Sequence, residues 1–150
     1  MTRPVGILYE HPEWFKPLFR ELERQSVPFV PIDATRHTFE PGSDADRYSL
    51  VVNRMSPSAG LRGNGQAIFH TLDYLVHLEE RGVSVLNGRR AFEFEISKAR
   101  QLDLLAGLGL RYPRAKVVNH PSQIVDAAAD LEYPVLLKPN IGGSGAGIRS

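Results

Sequence analysis

The segment 133–150, YPVLLKPNIGGSGAGIRS, constrains the fold of this chain more than any other stretch. Its short apolar run 135–137 predicts a buried strand, and Lys138 stands at the end of that run. The loop that follows is rich in glycine, with Gly142, Gly143, Gly145 and Gly147. Because glycine has no Cβ and readily adopts positive φ, such a loop can point several backbone N–H groups at one anion. A lysine beside it predicts a phosphate site, with a nucleoside triphosphate as the usual ligand; the alternative is a glycine-rich hairpin turn with a surface lysine.

Two common phosphate-binding motifs do not fit this segment. A P-loop needs a lysine and then Ser or Thr after its glycines, and no lysine follows these glycines. A Rossmann fingerprint runs from a strand through G-x-G-x-x-G into a helix, and Lys138-Pro139 interrupts that geometry. The segment KPNIGGSGAGI instead resembles the flexible phosphate-covering loop of the ATP-grasp superfamily, which lies between two antiparallel strands.

Composition excludes several classes of protein. Hydrophobic residues at 42% and charged residues at 23% are typical of a soluble globular chain. A formal net charge of +1 gives no electrostatic reason to expect nucleic acid or an anionic membrane as partner. Without cysteine there are neither disulfides nor thiolate metal sites. Since no signal peptide or membrane-spanning run is recognisable, we expect a cytoplasmic location.

Residues 1–88 alternate between strand and helix patterns. Strands are predicted at 5–9, 27–32, 49–53 and 83–86, and helices are predicted from Pro12, with Trp14, Leu18 and Leu22 as apolar positions, and over 66–81, with Ile68, Leu72, Leu75 and Val76. Prolines in the second strand favour a sheet edge, and 34–47 and 56–65 are expected to be exposed loops. Strand–helix–strand units imply parallel pairing with right-handed crossovers, so this part is expected to be a small Rossmann-like α/β domain.

Ligands of such sheets bind beyond the carboxyl ends of the strands. The rim candidates there are Tyr9, Glu10, His11, Arg54 and Ser56. Arg54 is favoured because a guanidinium can bind a carboxylate through two parallel hydrogen bonds; a solvated arginine at a strand end is the alternative.

The histidines on the second predicted helix do not predict a metal site. His70 and His77 share a face at i, i+7, whereas the helical metal motif has i, i+4 spacing. No Ser/His/Asp arrangement is recognisable either, so no catalytic residue is predicted.

A different pattern begins after Gly88. Ser97 predicts the cap of a helix over 98–108 that ends at Gly109, and Pro121 predicts the start of another helix. The inward positions are expected to be Ala99, Leu102, Leu105 and Ala106 in the first helix and Ile124, Val125 and Ala128 in the second. A strand is predicted over 114–118, and Glu93 and Glu95 are interpreted as a solvated face.

Lys98 occupies the first turn of the predicted helix, where the helix dipole disfavours a cation by roughly 0.3–1 kcal/mol. Either this ammonium reaches an anion, or the turn is frayed and the cost is negligible.

With Lys98 and Lys138 both in place, the whole chain resembles the N-terminal part of an ATP-grasp ligase, closest to the subgroup of ribosomal-protein glutamate ligases. The matching segments, in order, are VVNRMSP (51–57), GVSVLNGRRAF (82–92), SKARQLDLLAGLGLRYPRAKVV (97–118) and YPVLLKPNIGGSGAGI (133–148). The resemblance implies an α/β fold with a Rossmann-like pre-ATP-grasp domain, residues 1–88, followed by an incomplete α+β first lobe of the ATP-grasp domain, residues 89–150.

The resemblance also implies a chemistry. Lys98 and Lys138 would contact the α- and β-phosphates of ATP, and the loop with Gly142, Gly143, Ser144, Gly145 and Gly147 would close over the β- and γ-phosphates. Such ligases pass the γ-phosphoryl group to a substrate carboxylate, which Arg54 would hold, and an amine then displaces the acyl phosphate. The ligands of the required Mg²⁺ are expected outside this chain.

The chain alone is expected to be inactive, with an apolar face that favours self-association. The alternatives are a non-catalytic fragment that binds nucleotide or partners, and a dinucleotide-binding domain of an oxidoreductase.

Overall fold

The computed structural model describes residues 2–43 and 47–150. Strands and helices alternate in the first part of the chain: β1 (Val5–Tyr9), α1 (Lys16–Arg24), β2 (Phe29–Asp33), β3 (Leu50–Asn53), α2 (Gly65–Glu80) and β4 (Val85–Leu86). A 3₁₀ helix, Pro57–Arg62, connects β3 to α2. Three further helices follow: α3 (Arg89–Glu95), α4 (Lys98–Gly107) and α5 (Ile124–Ala128), the last preceded by a 3₁₀ turn, Pro121–Gln123.

All four strands pair in parallel, in the order β2-β1-β3-β4. Leu8 of β1 lies opposite Ile32 of β2 on one side and Asn53 of β3 on the other. The predicted parallel sheet is therefore confirmed, and β2 has the edge position that its prolines indicated. The chain leaves β1 for β2 on one side and then for β3 on the other, so the order of strands reverses between β1 and β3. Parallel sheets commonly bind their ligands at the carboxyl ends of strands at such a point.

The core lies between the sheet and the helices that cover it. Leu8 and Val51 of the sheet, Leu75 and Leu78 of α2 and Phe92 of α3 are all 0% exposed and belong to one cluster. Complete burial of one such side chain contributes about 1.5–3 kcal/mol. In the part of the chain that the structure describes, every buried residue lies between Gly6 and Ile96.

The first helix starts later than predicted, and its expected apolar face is not buried. Residues 12–15 form turns, in which His11 Nδ1 accepts the N–H groups of Glu13 at 3.2 Å and Trp14 at 3.3 Å. Helix α1 has no buried residue, and Trp14, which precedes it, is half exposed. The N–H groups of Glu13 and Trp14 thus bind a histidine side chain instead of helix carbonyls. The spacing of apolar residues carries no information about this acceptor, so it placed the start of the helix too early.

The two expected loops also differ from the prediction. Residues 57–62 form a 3₁₀ helix because Ser56 accepts the N–H of Ser58 as a cap and Pro57 fits the first position. Within 34–47, His37 and Phe39 pack on the ring of Tyr74, with centroids 4.2 and 5.2 Å away. The loop is therefore not exposed at His37 and Phe39. Positions 44–46 lie outside the described residues.

In the second part, α4 has the predicted cap and end. The Ser97 hydroxyl accepts the N–H of Arg100, and Gly109 has φ +66°. Helix α3 was not predicted; its first N–H, on Arg89, donates to the Glu79 carboxylate at 2.7 Å, an acceptor far away in sequence. None of the α4 residues is fully buried; of the expected inward positions, Ala99, Leu102 and Leu105 are half-buried and Ala106 is exposed.

The strands predicted over 114–118 and 135–137 are absent from the described residues. A strand needs a neighbour, and the only pairing of these segments is an isolated antiparallel bridge between Leu137 and Arg149. Leu136, expected in a buried strand, is 59% exposed, and Val125, expected inward on α5, is 78% exposed. Within 2–43 and 47–150, no helix is long and apolar enough to cross a membrane.

Candidate functional site

The bridge between Leu137 and Arg149 closes the loop 138–148, called the glycine loop below. The Leu137 N–H donates to the Arg149 carbonyl at 2.8 Å, and the Arg149 N–H donates back at 3.0 Å. The loop therefore joins two antiparallel chain segments, as the resemblance to the ATP-grasp loop implied. A Rossmann fingerprint would run on into a helix, so this geometry does not favour a dinucleotide-binding domain.

The glycine loop has the backbone of an anion-binding site. Positive φ angles recur along it, at Gly142, Ser144, Gly145 and Gly147. Gly147 cannot be replaced without strain, because φ is +76° and a Cβ would lie 2.8 Å from Pro139 Cγ. Among the described residues, no acceptor is found for the N–H groups of Gly142, Gly143, Ser144, Gly145 or Gly147. These donors remain available to a phosphate.

The first turn of α4 holds one side of the glycine loop. The Lys98 N–H donates to the Asn140 carbonyl at 3.2 Å, and the Ala99 N–H donates to Asn140 Oδ1 at 2.9 Å. Lys98 Nζ lies 3.4 Å from the carbonyl oxygens of both Asn140 and Gly142. The lysine at the positive end of this helix is thus stabilised by carbonyl dipoles of the loop. Hydrogen bonds of 3.4 Å are weak, so the Lys98 ammonium can exchange these carbonyl oxygens for the oxygens of a bound anion.

Lys138 stands at the mouth of the same loop, next to the bridge residue Leu137. Its side chain is exposed. In the described part of the chain its ammonium has neither a hydrogen bond nor an ion pair. Its charge is therefore not neutralised by a carboxylate of the described residues.

Ser58 touches the glycine loop at Gly143 and was missed by the sequence analysis. A Cβ on Gly143 would lie 3.2 Å from Ser58 Cβ and 3.7 Å from Ser58 N. Ser58 is buried, within the 3₁₀ helix that follows β3. The pattern SPS, with a capping serine before a proline, was the available signal for this turn.

Arg54 follows β3, and its N–H donates to the Leu8 carbonyl at 2.8 Å. Its guanidinium lies 5.7 Å from the centroid of the Phe15 ring and is otherwise exposed. The charge of Arg54 also acts on Glu95, at the end of α3. Surrounding protein atoms raise the pKa of the Glu95 carboxyl, and Arg54 opposes this rise. Glu95 keeps contact with solvent, but it is a neighbour of the candidate substrate site rather than an isolated surface charge.

The other rim candidates are engaged within the protein. Tyr9 packs edge-on against Phe15, with centroids 5.7 Å apart, and His11 stacks on Trp14 at 4.0 Å. Glu10 is buried and accepts from Arg62; burial would raise the pKa of its carboxyl, but hydrogen bonds from Arg62 and Asn64 hold that pKa below its usual value.

Two histidines meet away from the glycine loop. His37 Nδ1 lies 3.1 Å from His70 Nε2, and His77 lies farther along α2, against the Phe39 ring. Across 2–43 and 47–150, no group of three or more histidine or carboxylate side chains is placed to hold a metal ion.

Comparison with known proteins gives the family. No family model matches the chain. The formate-dependent phosphoribosylglycinamide formyltransferase of Synechococcus sp. (strain RCC307) is 32% identical over 108 residues, which are 71% of this chain and 27% of that protein. The solved RimK domain protein ATP-grasp from Sphaerobacter thermophilus superposes with a TM-score of 0.70 over 97% of this chain and 52% of its own, at 18% identity. The chain belongs to the ATP-grasp superfamily.

A second solved structure, the ATP-grasp ligase PsnB with a phosphomimetic variant of its minimal precursor, Mg and ADP, has a TM-score of 0.60 at 22% identity, over 99% of this chain and 58% of its own. The family and the α/β fold predicted from the sequence are thereby confirmed. The chain spans about a quarter of the length of the curated ATP-grasp relatives and about half of the solved ones. The domain boundary at residue 88 and the site residues remain predictions.

Proposed function

We propose that this chain supplies the phosphate-binding part of an ATP-dependent carboxylate–amine ligase that acts through an acyl phosphate. The observation that carries the proposal is the contact between Lys98 and the glycine loop. A helix first turn, a lysine and a loop with unpaired N–H groups meet at one place, and each of them favours negative charge.

The chain's own residues would act by holding the triphosphate. The N–H groups of the glycine loop donate to phosphate oxygens, while the Lys98 and Lys138 ammonium groups neutralise their charge. At about 4 Å and an effective dielectric near 20, each lysine–phosphate contact is worth about 4 kcal/mol before desolvation. Lys98 would leave the carbonyls of Asn140 and Gly142 as it binds phosphate.

Mg²⁺ would neutralise charge on the triphosphate in this chemistry. The described residues do not supply a carboxylate cluster for it, so we propose that its ligands lie outside this chain. Cytoplasmic location is a proposal about the whole protein, and self-association through an exposed apolar face is a proposal about residues 1–150 alone.

We assign the acceptor carboxylate to Arg54. Its guanidinium is exposed at the carboxyl end of β3, beside the point where the order of strands reverses. The 3₁₀ helix that begins three residues later carries Ser58, which touches the glycine loop. The acceptor and the triphosphate would therefore approach from neighbouring parts of one surface.

The first test is Lys138→Ala. Loss of its charge should weaken ATP binding at least tenfold, about 1.4 kcal/mol, in a calorimetric titration of the full-length protein. Lys16→Ala, which removes a lysine paired with Glu13 on the surface, is the matched control. Equal ATP affinity in the Lys138 variant and this control would remove Lys138 from the site.

Arg54→Lys tests the acceptor site. Lysine cannot reproduce the two parallel hydrogen bonds of a guanidinium, so the KM for the acceptor should rise about tenfold while ATP affinity stays unchanged. Arg20→Lys on α1 serves as control in the same steady-state kinetics. An equal loss for both substrates would show that Arg54 has a structural role.

A non-catalytic protein that only binds nucleotide is the alternative to a ligase. Nucleotide binding by the glycine loop would be expected of both. A coupled ADP-release assay separates the two. Residues 1–150 alone should show no Mg²⁺-dependent ADP release and ATP binding no tighter than roughly millimolar, and the full-length protein should release ADP. Absence of release from the full-length protein, with ATP bound, would favour the non-catalytic alternative.

A further inference from the structure

A buried ion pair lies at the carboxyl end of β1. The Glu10 side chain is 1% exposed, and the Arg62 side chain is 25% exposed. Arg62 Nε lies 3.0 Å from both carboxylate oxygens, Arg62 Nη2 donates to Oε2, and Asn64 Nδ2 donates to Oε1 at 2.6 Å. A carboxylate in such a position is costly unless it is fully hydrogen-bonded, so the geometry of Arg62 is strongly fixed.

The remaining nitrogen of the guanidinium reaches back to the start of the same 3₁₀ helix. Arg62 Nη1 donates to Ser58 Oγ at 3.1 Å, and Ser58 Oγ lies 2.8 Å from Ser56 Oγ. The ring of Trp14 covers the guanidinium, with its centroid 5.3 Å from Cζ. Arg62 therefore joins the end of β1, the start of the 3₁₀ helix and the turn before α1.

Ser58 is also the residue on which the glycine loop rests. A Cβ on Gly143 would lie 3.2 Å from Ser58 Cβ, which is closer than most Cβ contacts. Lys98 and Ala99 of α4 donate to Asn140 and Gly142 of the loop through hydrogen bonds of 2.9–3.4 Å. The position of Ser58 thus sets how far the loop can approach the sheet.

We propose that Arg62 is a positioning residue for nucleotide binding: held by Glu10, it fixes Ser58, and Ser58 in turn sets the position of the glycine loop. The importance of this position for ATP rests on the function proposed above. Its effect on the loop itself does not depend on that function.

The chemistry of the network explains why an arginine is needed. A guanidinium donates in several directions from one rigid plane, so it can bind the Glu10 carboxylate and the Ser58 hydroxyl at once. A lysine can keep the ion pair with Glu10, but its single ammonium cannot hold both partners in this geometry. Arg62→Lys therefore separates the link to the loop from the neutralisation of the buried charge.

Amide hydrogen exchange on the 150-residue chain without nucleotide measures the link. The Ala146 amide, which donates to the Gly143 carbonyl at 3.2 Å, reports on the loop, and the Val51 amide reports on the core. Arg62→Lys and Ser58→Ala should each speed exchange at Ala146 about threefold or more and leave Val51 unchanged. Arg24→Lys, which changes an arginine paired with Glu21 on exposed α1, should alter neither amide.

The double variant tests whether the two residues act through one link. Its effect at Ala146 should equal that of either single variant, because both changes break the same hydrogen bond. Multiplied effects, or exchange at Ala146 equal to that of Arg24→Lys, would overturn the proposal. If Arg62→Lys also speeds exchange at Val51, that substitution has destabilised the core. The exchange rate of Ala146 in Ser58→Ala then tests the proposal by itself, since this variant leaves the Glu10–Arg62 pair intact.

An ATP titration of the same variants in the full-length protein separates this proposal from the proposed function. Both substitutions should weaken ATP binding about threefold. Faster exchange at Ala146 with no ATP binding in the unmodified protein would leave the link standing and refute the nucleotide function. Faster exchange with unchanged ATP affinity would refute the positioning role.

Discussion

The regions before and after Ser97 are stabilised in different ways. Residues 6–96 contain every buried residue of the described chain, and most of the buried apolar ones form a cluster that joins β1, β3, α2 and α3. Residues 97–150 contain none, and many of their large apolar side chains are exposed: Leu104, Leu108, Leu110, Tyr112, Val117, Val125, Tyr133, Leu136, Leu137, Ile141 and Ile148.

Caps, turns and exposed ion pairs hold the second region instead. Examples are the Ser97 cap of α4, the turn at Gly109 and the ion pairs of Asp130 with Arg114 and Lys116. Its contact with the first region passes through small sets of groups, such as Gly143 on Ser58. Exposed ion pairs contribute little, so the second region should open far more readily than the first. The proposed role of the glycine loop, which would open and close over a ligand, requires a region of low stability of this kind.

The largest expected effect comes from a matched pair of leucines. Leu75→Ala removes a side chain that is 0% exposed at the centre of the core, and it should lower the free energy of unfolding by about 3 kcal/mol. Leu136→Ala removes one that is 59% exposed in the second region, and it should cost less than about 0.5 kcal/mol. Urea denaturation followed by circular dichroism gives both values. Equal losses would mean that the two regions unfold as one unit.

A pH-dependent effect of intermediate size is confined to the first region. Burial, followed by the nearby charges of His70, Arg47 and His77, lowers the pKa of His37 to about 4. The unfolded chain binds this proton near pH 6.5, whereas the folded chain does not. Stability is therefore fully present above about pH 6.5 and is lost as the pH falls towards 4, by about 2 kcal/mol after allowance for solvent screening.

Denaturation at several pH values measures this loss. His37→Gln should flatten the stability profile between pH 6.5 and 4, because the group that titrates only in the unfolded chain is gone. His120→Gln, which changes an exposed histidine at the 3₁₀ turn of the second region, is the control. A profile that is equally steep in both variants would show that His37 does not cause the loss.

The same division between regions separates what the sequence could predict from what it could not. Periodic apolar residues located α2 to within one residue at each end, and the strand pattern located β1 and β3. Here the pattern and the burial agree. Caps are local as well, and Ser97 and Gly109 were found from residue type alone.

Features that depend on distant partners were missed. Helix α3 begins where the Glu79 carboxylate accepts the Arg89 N–H, and no local pattern records that contact. The run 135–137 has the composition of a buried strand, but composition cannot supply the neighbouring strand that burial requires. At the site, Lys98 and the glycines follow a local motif, whereas Ser58 belongs to it only through the tertiary contact with Gly143.

The smallest effects should come from two glycines of the second region, where local backbone conformation decides stability. Gly109 has φ +66° and open space around its Cα, so alanine there costs only the strained backbone, about 1 kcal/mol. Gly107 lies in α4, also beside open space and without a positive φ, so alanine there should gain about 0.5 kcal/mol.

Amide exchange at Leu110, whose N–H donates to the Leu105 carbonyl at 2.9 Å across the end of α4, measures both changes. Exchange should become about fivefold faster in Gly109→Ala and about twofold slower in Gly107→Ala, because these factors correspond to the two free energies. Exchange at Val51 should stay unchanged in both variants, since its protection comes from the core of the first region. If Val51 followed Leu110 in both variants, opening of α4 would be coupled to the core, and the two regions would share one stability.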